Sequence, residues 1–418
     1  MINKRKIIND PVYGFINITS ELIYDLIEHP YYQRLRRIKQ LGLAELVYPG
    51  ALHTRFHHAL GAMHLMNEAM TTLRQKGHHI SDEECEAAQI AILLHDIGHG
   101  PFSHVLEHYI LNQVPHEQGV HHEELSLQIM QAMNEDLGGK LNLAIEIFTG
   151  KYPRQFLHQL ISGQLDVDRM DYLNRDSFFT GVREGNIGAE RILKMLDVID
   201  NQLVVEQKGI YSVENFLTAR RLMYWQVYLH KTSICAEVML SQIVRRAREL
   251  VKSGIEVFAT EGFGLFLKND VTLEEFVSDK RYLQAFTEMD DNDIWACVKI
   301  WSKHNDLILS GLCMKLLNRK LYKILISDEP FENSFLEKIK NDFLNRDEIN
   351  DDNLSYFVID GIITNEAYLS EKQAINILTK NKLVVDIADA SDLPTIKALS
   401  NVVKKYYICW AKDVYLRE

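Results

Sequence analysis

The sequence predicts a mainly α fold, with an all-helical core over residues 1–326 and a small α/β appendage over residues 327–418. Three observations carry that prediction. Apolar residues recur at helical spacing through most of the first 320 residues, strand-like runs there are few and short, and β-rich runs alternate with helical segments only beyond Tyr322. A chain of 418 residues has room for two or three domains, or one large core with an added piece.

Between Ile18 and Leu41 the apolar positions Leu22, Ile23, Leu26 and Ile27, then Leu35, Ile38 and Leu41, fit two short helices punctuated by Pro30 and Gly42. Pro49 and Gly50 mark a turn, after which Phe56, Leu60, Met63 and Met66 begin a further helix. Ser81 with Glu84 three residues on forms a capping box that opens a helix to about Ile97. Its stretch Ala87 to Leu94 is almost wholly apolar and therefore buried on most sides, and Gly98, Gly100 and Pro101 end it. His95 and Asp96 thus fall at a buried helix end. Helical patterns continue over Glu123–Met133, Leu157–Arg175, Glu190–Ile199, Val213–Val251 and Asp293–Leu317, with Leu203–Glu206 as a short strand. In the appendage, Tyr356–Ile359, Leu383–Ile387 and Tyr406–Cys409 read as strands between helical segments around Ala374 and Ile396.

Composition narrows the function. Forty-six Lys and Arg against 58 Asp and Glu leave a net charge of −12, which disfavours a non-specific polyanion binder. Five scattered cysteines without a CxxC pair fit neither a disulfide framework nor a thiolate metal site. No stretch approaches the roughly 20 apolar residues of a membrane helix and no apolar leader opens the chain, so the cytoplasm is the expected compartment. Fourteen of the 17 histidines lie at or before His122, a supply that points to a metal or acid/base centre in the first third, although His78 and His79 fit a solvated surface.

The run Leu93-Leu94-His95-Asp96-Ile97-Gly98-His99-Gly100-Pro101 sets a carboxylate and two imidazoles at the mouth of an apolar helix. Buried ionisable groups need a partner or a metal, and His and Asp donors suit a divalent transition ion; a hydrogen-bonded pair that only caps the helix is the alternative. Further donors lie upstream in His53-Thr54-Arg55-Phe56-His57-His58 and downstream in Asp166-Val167-Asp168-Arg169-Met170-Asp171-Tyr172. Asp168, Asp171, Tyr172 and Arg175 share one helical stripe, which is either part of the centre or a charged solvated face.

The order His58, His95-Asp96, Asp168 resembles the H…HD…D signature of the HD-domain metal-dependent phosphohydrolases. The longer strings, with His99, His104 and His122-Glu123, resemble the deoxynucleoside triphosphate triphosphohydrolase branch, and the likeness runs from about Lys6 to about Ile326. The resemblance implies an HD-domain core that hydrolyses dNTP to deoxynucleoside and inorganic triphosphate. It makes His58, His95, Asp96 and Asp168 the metal ligands, for Fe, Mn, Zn or Ni, with Mg or Mn accompanying the triphosphate. It sets His99, His104 and His122 beside the α-phosphate, and Glu107 where the branch has an aspartate that supports the catalytic histidine. It assigns Gln40, Leu41, Tyr172 and Asp176 to the sugar, Arg55, Arg169 and Arg220 to phosphate, and Tyr228 to the base side. It also marks Lys6, Asn9, Glu28, Gln33 and Arg36, with Arg319 and Lys323 from a neighbouring subunit, for an activating nucleotide. A homo-oligomer, dimer or tetramer, is then expected. Read alone, the cluster Arg34, Arg36, Arg37 and Lys39 equally fits a solvated basic face. Two rival functions stay open: a phosphodiesterase or nuclease acting on another phosphate ester, which −12 disfavours, and a non-hydrolysing nucleotide sensor, which the glutamate at 107 permits.

Overall fold

A computed structural model of the protein describes residues 6–103, 122–345, 349–365, 374–393, 396 and 403–412. It opens with an antiparallel hairpin, β1 (Ile7–Asp10) and β2 (Gly14–Asn17). The short helices α1 (Glu21–Glu28) and α2 (Pro30–Gln33) follow, and the chain then tightens into a 3₁₀ turn over Arg34–Arg37. The helices α3 (Arg55–Gln75) and α4 (Asp82–Leu94) form the centre, joined by α5 (His122–Asp136), α6 (Asn142–Phe148), α7 (Gln155–Ser162) and α8 (Val167–Thr180). Beyond α9 (Ala189–Met195) come β3 (Leu196–Ile199), β4 (Gln202–Glu206), α10 (Ile210–Met223) and α11 (Lys231–Lys252). The helical part closes with α12 (Glu261–Lys268), α13 (Leu273–Ser278), α14 (Lys280–Glu288), α15 (Asp291–Trp301) and α16 (Leu307–Leu317).

Two small sheets involve the C-terminal region. β5 (Lys323–Ser327), β6 (Val358–Asn365) and β9 (Val403–Trp410) form one with β9 in the middle; β7 (Asn376–Leu378) and β8 (Val384–Asp386) extend the β3–β4 pair into the other. β4 runs parallel to β7, with Val205 opposite Ile377, so the helical part and the tail share a sheet. No helix among the described residues is long and apolar enough to cross a membrane.

The mainly α expectation holds, and the local differences have physical causes. The helix read as Leu157–Arg175 is two, because Asp166 adopts an extended backbone and caps α8, its side chain accepting from Arg169 N at 2.7 Å. The helix read as Val213–Val251 is interrupted by a π-helical turn, Tyr224–Tyr228, and by His230, whose ring accepts from Thr232 N at 3.2 Å to start α11. The run Asp293–Leu317 likewise breaks where Asp306 caps α16. Ala374 and Ile375 lead into strand β7, where Ile377 is fully buried against β4, and the rest of the helical segment read around Ala374 lies outside the described residues. The Ser81–Glu84 capping box is present as expected, with bonds of 2.8 and 3.1 Å.

α3 packs on α4 and α8, and α4 is enclosed: every side chain from Ile90 to Leu94 is buried. This apolar post ends at the His95–Asp96 turn, whose shape is held from two sides. Arg34, fully buried, donates to Ile97 O at 3.2 Å, His99 O at 2.5 Å and Met289 O at 2.8 Å, with its guanidinium over the Phe286 ring. One residue beyond Asp290, which pairs with Arg37, Asp291 accepts from Lys39 N at 2.9 Å and Phe102 N at 2.8 Å. Residues 34–39 and the turn are therefore fastened to the same loop.

Burial raises the Asp291 carboxyl to about 6 even though two backbone amides favour its ionised form. Because the folded chain holds this proton more tightly than the unfolded chain, the associated stability is present below the ordinary carboxylate range and lost as pH rises through about 6. The stability of wild type relative to Asp291→Asn should therefore fall from about pH 4 to about pH 6 and then level off. Urea unfolding of both proteins across that range checks this, and a difference that does not change with pH refutes it.

Candidate active site

Three helix starts, one helix end and one turn build the site. Arg55 and His58 lie one turn apart at the start of α3, so both project toward the end of α4, where His95 is the C-cap and Asp96 follows it. Asp168 and Asp171 enter from the first turns of α8. Gly98 lets α5 approach: a Cβ there would stand 2.3 Å from both His122 O and Ser126 N. The close approach stacks the His122 ring on His99, with centroids 4.0 Å apart and planes at 17°.

The imidazoles are oriented by what their Nδ1 atoms bond. His58 Nδ1 lies 2.8 Å from Asp171 Oδ2, and His95 Nδ1 lies 2.6 Å from Ile92 O. Each partner takes the Nδ1 proton and turns Nε2 inward. Asp168 Oδ1 is then 3.0 Å from His58 Nε2 and 3.3 Å from His95 Nε2. Asp96 stands 3.3 Å from His95 Nε2, 3.7 Å from His58 Nε2 and 3.4 Å from His99 Nε2, while Arg55 bonds its other side. Arg55 Nε also donates to Ser103 Oγ at 3.0 Å.

A divalent metal fits this geometry. Both Nε2 atoms, of His58 and His95, are buried without a hydrogen bond, and they converge with Asp168 so that all three donor atoms lie within 4.8 Å of one another. Asp96, His99 and His122 form a second convergent set, so Asp96 borders both. Nitrogen and carboxylate donors of this kind suit Zn, Fe, Mn or Ni, and the arrangement alone does not choose among them. Burial works against a charged His58, but the adjacent carboxylates of Asp168 and Asp171 outweigh this and hold it up at about 10. A cation is thus what these carboxylates draw in, and a metal ion entering would displace a proton. Burial and the neighbouring Arg55 push His99 down to about 4.

A cavity of about 390 Å³ opens beside the cluster, and its lining brings together Gln40, Leu41, Arg55, Asp96, His99, His122, Asp168, Tyr172, Asp176 and Tyr228. Tyr172 meets Tyr228 edge to face at 5.9 Å, and Tyr228 donates to Asp176 Oδ2 at 2.8 Å. Arg169 and Arg220 are not in that lining: Arg169 pairs with Asp166, and Arg220 donates to Gln164 at 3.0 Å. His104 and Glu107 lie outside the described residues.

Of the residues marked for an activating nucleotide, Lys6 donates to Tyr24 at 2.8 Å, Arg36 to Gln33 at 2.8 Å, and Gln33 to Ile27 O at 2.7 Å; Asn9 and Glu28 are exposed nearby in the chain. Arg319 donates to Leu46 O at 2.8 Å and Lys323 covers the Trp410 ring, both on the surface.

Sequence reasoning did not single out His53, which is buried and 2.7 Å from Asp176 Oδ1, or Ser103 under Arg55. His53 sat inside a quoted motif, but its partner is 123 residues away and no local pattern announces the pair. It left Asp171 and Arg175 undecided between centre and surface; both are fully buried and belong to the centre.

Residues 55–176 match the HD domain and residues 187–259 the HD associated region. The chain belongs to the HD-domain family of phosphohydrolases. Among solved structures, a phosphohydrolase from Bacteroides thetaiotaomicron shares 53% identity over 97% of this chain and 99% of its own, with a TM-score of 0.92. YwfO of Bacillus subtilis is 35% identical over 324 residues, 77% of this chain and 72% of that protein. The human deoxynucleoside triphosphate triphosphohydrolase SAMHD1 is 28% identical over 289 residues, and its Dictyostelium discoideum homolog 31% over 261. The aligned part spans about half of each of those two relatives, 46% and 50%.

Metal analysis of His95→Ala should show the ion lost with helical circular dichroism unchanged, since this side chain serves the centre and not the apolar post. Gly61→Ala should lower both metal content and melting temperature, because a Cβ there would stand 1.9 Å from Asp171 Oδ1 and 2.2 Å from Arg175 Nη2. Full metal occupancy in either variant contradicts the assignment.

Proposed function

We propose that the chain hydrolyses deoxynucleoside triphosphates to deoxynucleoside and inorganic triphosphate, with His58, His95, Asp96 and Asp168 as metal ligands. The observation that carries this reading is that one cavity joins the His–Asp cluster and Arg55 to Tyr172, Asp176 and Tyr228. That combination offers phosphate chemistry and a sugar-sized aromatic surface together, and the SAMHD1 relatives are named for this reaction. His58, His95, Asp96 and Asp168 would hold the ion, which would supply Lewis-acid stabilisation of charge at the phosphate. Arg55, steadied by Asp96 and Ser103, turns its remaining N–H groups to the phosphate. The stacked imidazoles His99 and His122 exchange protons with the attacking water and the departing 5′-oxygen. Tyr172 packs the sugar and excludes a 2′-hydroxyl, Tyr228, held by Asp176, faces the base side, and Gln40 and Leu41 border the sugar. Arg169, paired with Asp166, and Arg220, bonded to Gln164, are the further arginines assigned to phosphate.

The test is incubation with each dNTP and NTP, with Mn or Mg and with or without GTP, separating triphosphate from pyrophosphate and monophosphate. Triphosphate from dNTPs is expected, and pyrophosphate as the sole product defeats the reading. Arg55→Ala should lower kcat/KM about ten- to hundredfold, the scale of one charge-assisted bond to phosphate; unchanged kinetics would remove Arg55 from the binding mode.

The activating nucleotide is part of the same proposal. Lys6, Asn9, Glu28, Gln33 and Arg36 grip it from one subunit and Arg319 with Lys323 from another, so its binding favours the oligomer by mass action. Arg319→Ala should lower activator response and oligomer fraction together while sparing metal content. Sedimentation at several concentrations with GTP and each dNTP checks this, and a distribution indifferent to every nucleotide refutes it.

A further inference from the structure

A buried line of ion pairs leads from the N-terminal hairpin to His58. Asp10 ends β1 and shapes the turn after it, its Oδ1 accepting from Val12 N at 2.9 Å and Tyr13 N at 3.0 Å. The same carboxylate accepts from Arg175 Nη1 at 2.8 Å and Nη2 at 3.3 Å. The other edge of that guanidinium holds Asp171, Nε at 2.9 Å and Nη2 at 3.0 Å, and Asp171 Oδ2 meets His58 Nδ1 at 2.8 Å. The side chains of Arg175 and Asp171 are 0% exposed and that of Asp10 4%.

We infer that Asp10 and Arg175 are positioning residues that couple the β1–β2 hairpin to metal binding at His58. The inference rests on the metal reading of the site. Asp171 is shared: Oδ2 serves both Arg175 and His58, so its strength as acceptor for the imidazole depends on how fully Asp10 neutralises the guanidinium. Without the Asp10 charge, Arg175 is balanced by Asp171 alone and draws on it more strongly. His58 then loses basicity at Nε2, the atom that faces the metal. There is no slack to absorb the change, because Gly61 already leaves no room for a Cβ beside the Asp171–Arg175 pair. The hairpin, in turn, is held to the core by this contact together with the fully buried Ile16, while Ile7 and Phe15 are 64% and 68% exposed; its strands are four residues each, and a lone two-stranded ribbon is marginal in water. Coupling is reciprocal, so metal at His58 fastens the hairpin as the hairpin sustains the metal.

The experiment titrates metal-stripped full-length protein with Mn(II), reading free ion by electron paramagnetic resonance, and with Zn(II) against a chelating dye. Asp171→Asn should weaken binding about 10–100-fold and Asp10→Asn, one link further out, about three- to tenfold. Hydrogen exchange at the β1–β2 amides of wild type should slow when metal is added, a readout that needs no variant to fold, and Asp10→Asn should lose that response. Equal affinity of wild type and Asp10→Asn overturns the inference, as do hairpin amides indifferent to metal. Failure of wild type to bind either ion marks the metal reading itself as wrong, an outcome distinct from failure of the coupling.

Discussion

Neutralising carboxylates inside an apolar helix assembly is the constraint from which the rest of this structure follows. Asp96, Asp168 and Asp171 are gathered where α3, α4 and α8 meet, and the stretch Ala87–Leu94 of α4 behind them is buried. Ions in such surroundings are strongly unfavourable unless each finds a partner, so Arg55 lies on Asp96, Arg175 on Asp171, and imidazoles face Asp168. The inward Nε2 atoms left without hydrogen bonds are the exception, and with Asp168 they form a donor set that fits a metal ion. Stability and chemistry therefore draw on the same side chains.

The orientation of these groups depends on bonds that reach across the fold. The His95–Asp96 turn is only as well defined as the three carbonyls that Arg34 holds and the two amides that Asp291 accepts. Gly98 then admits α5 to within backbone contact, which brings His122 onto His99. A side chain at 98 would push that helix away, so a glycine that contributes no side chain decides whether the two rings meet.

Breaks in the helices shape the other half of the cavity. A continuous helix over 213–251 would carry Tyr228 past the site, whereas the π-helical turn at Tyr224–Tyr228 rotates it onto Asp176 and against Tyr172. Apolar spacing runs through that region without interruption, and an added residue per turn leaves little trace in a pattern. The caps at Asp166 and Asp306 were visible as residue types, but each also fitted a helix interior.

Much of the centre was nevertheless legible in order along the chain. Periodicity and capping are short-range, so the sequence alone determined the mainly α character, the buried post Ala87–Leu94, and the location of His95 and Asp96 at its end. The strings around His58 and Asp168 marked the other donors, because residue types that bind metal are scarce in apolar surroundings. What a buried charge pairs with is a different matter, settled by which distant segments the core forces together. Asp10 meets Arg175 across 165 residues, Arg34 meets Met289 across 255, and β4 finds β7 in the tail. No window of sequence contains both members of such a pair, so only the tertiary structure decided that Asp171 and Arg175 form part of the centre and that the N-terminal hairpin is tied to it.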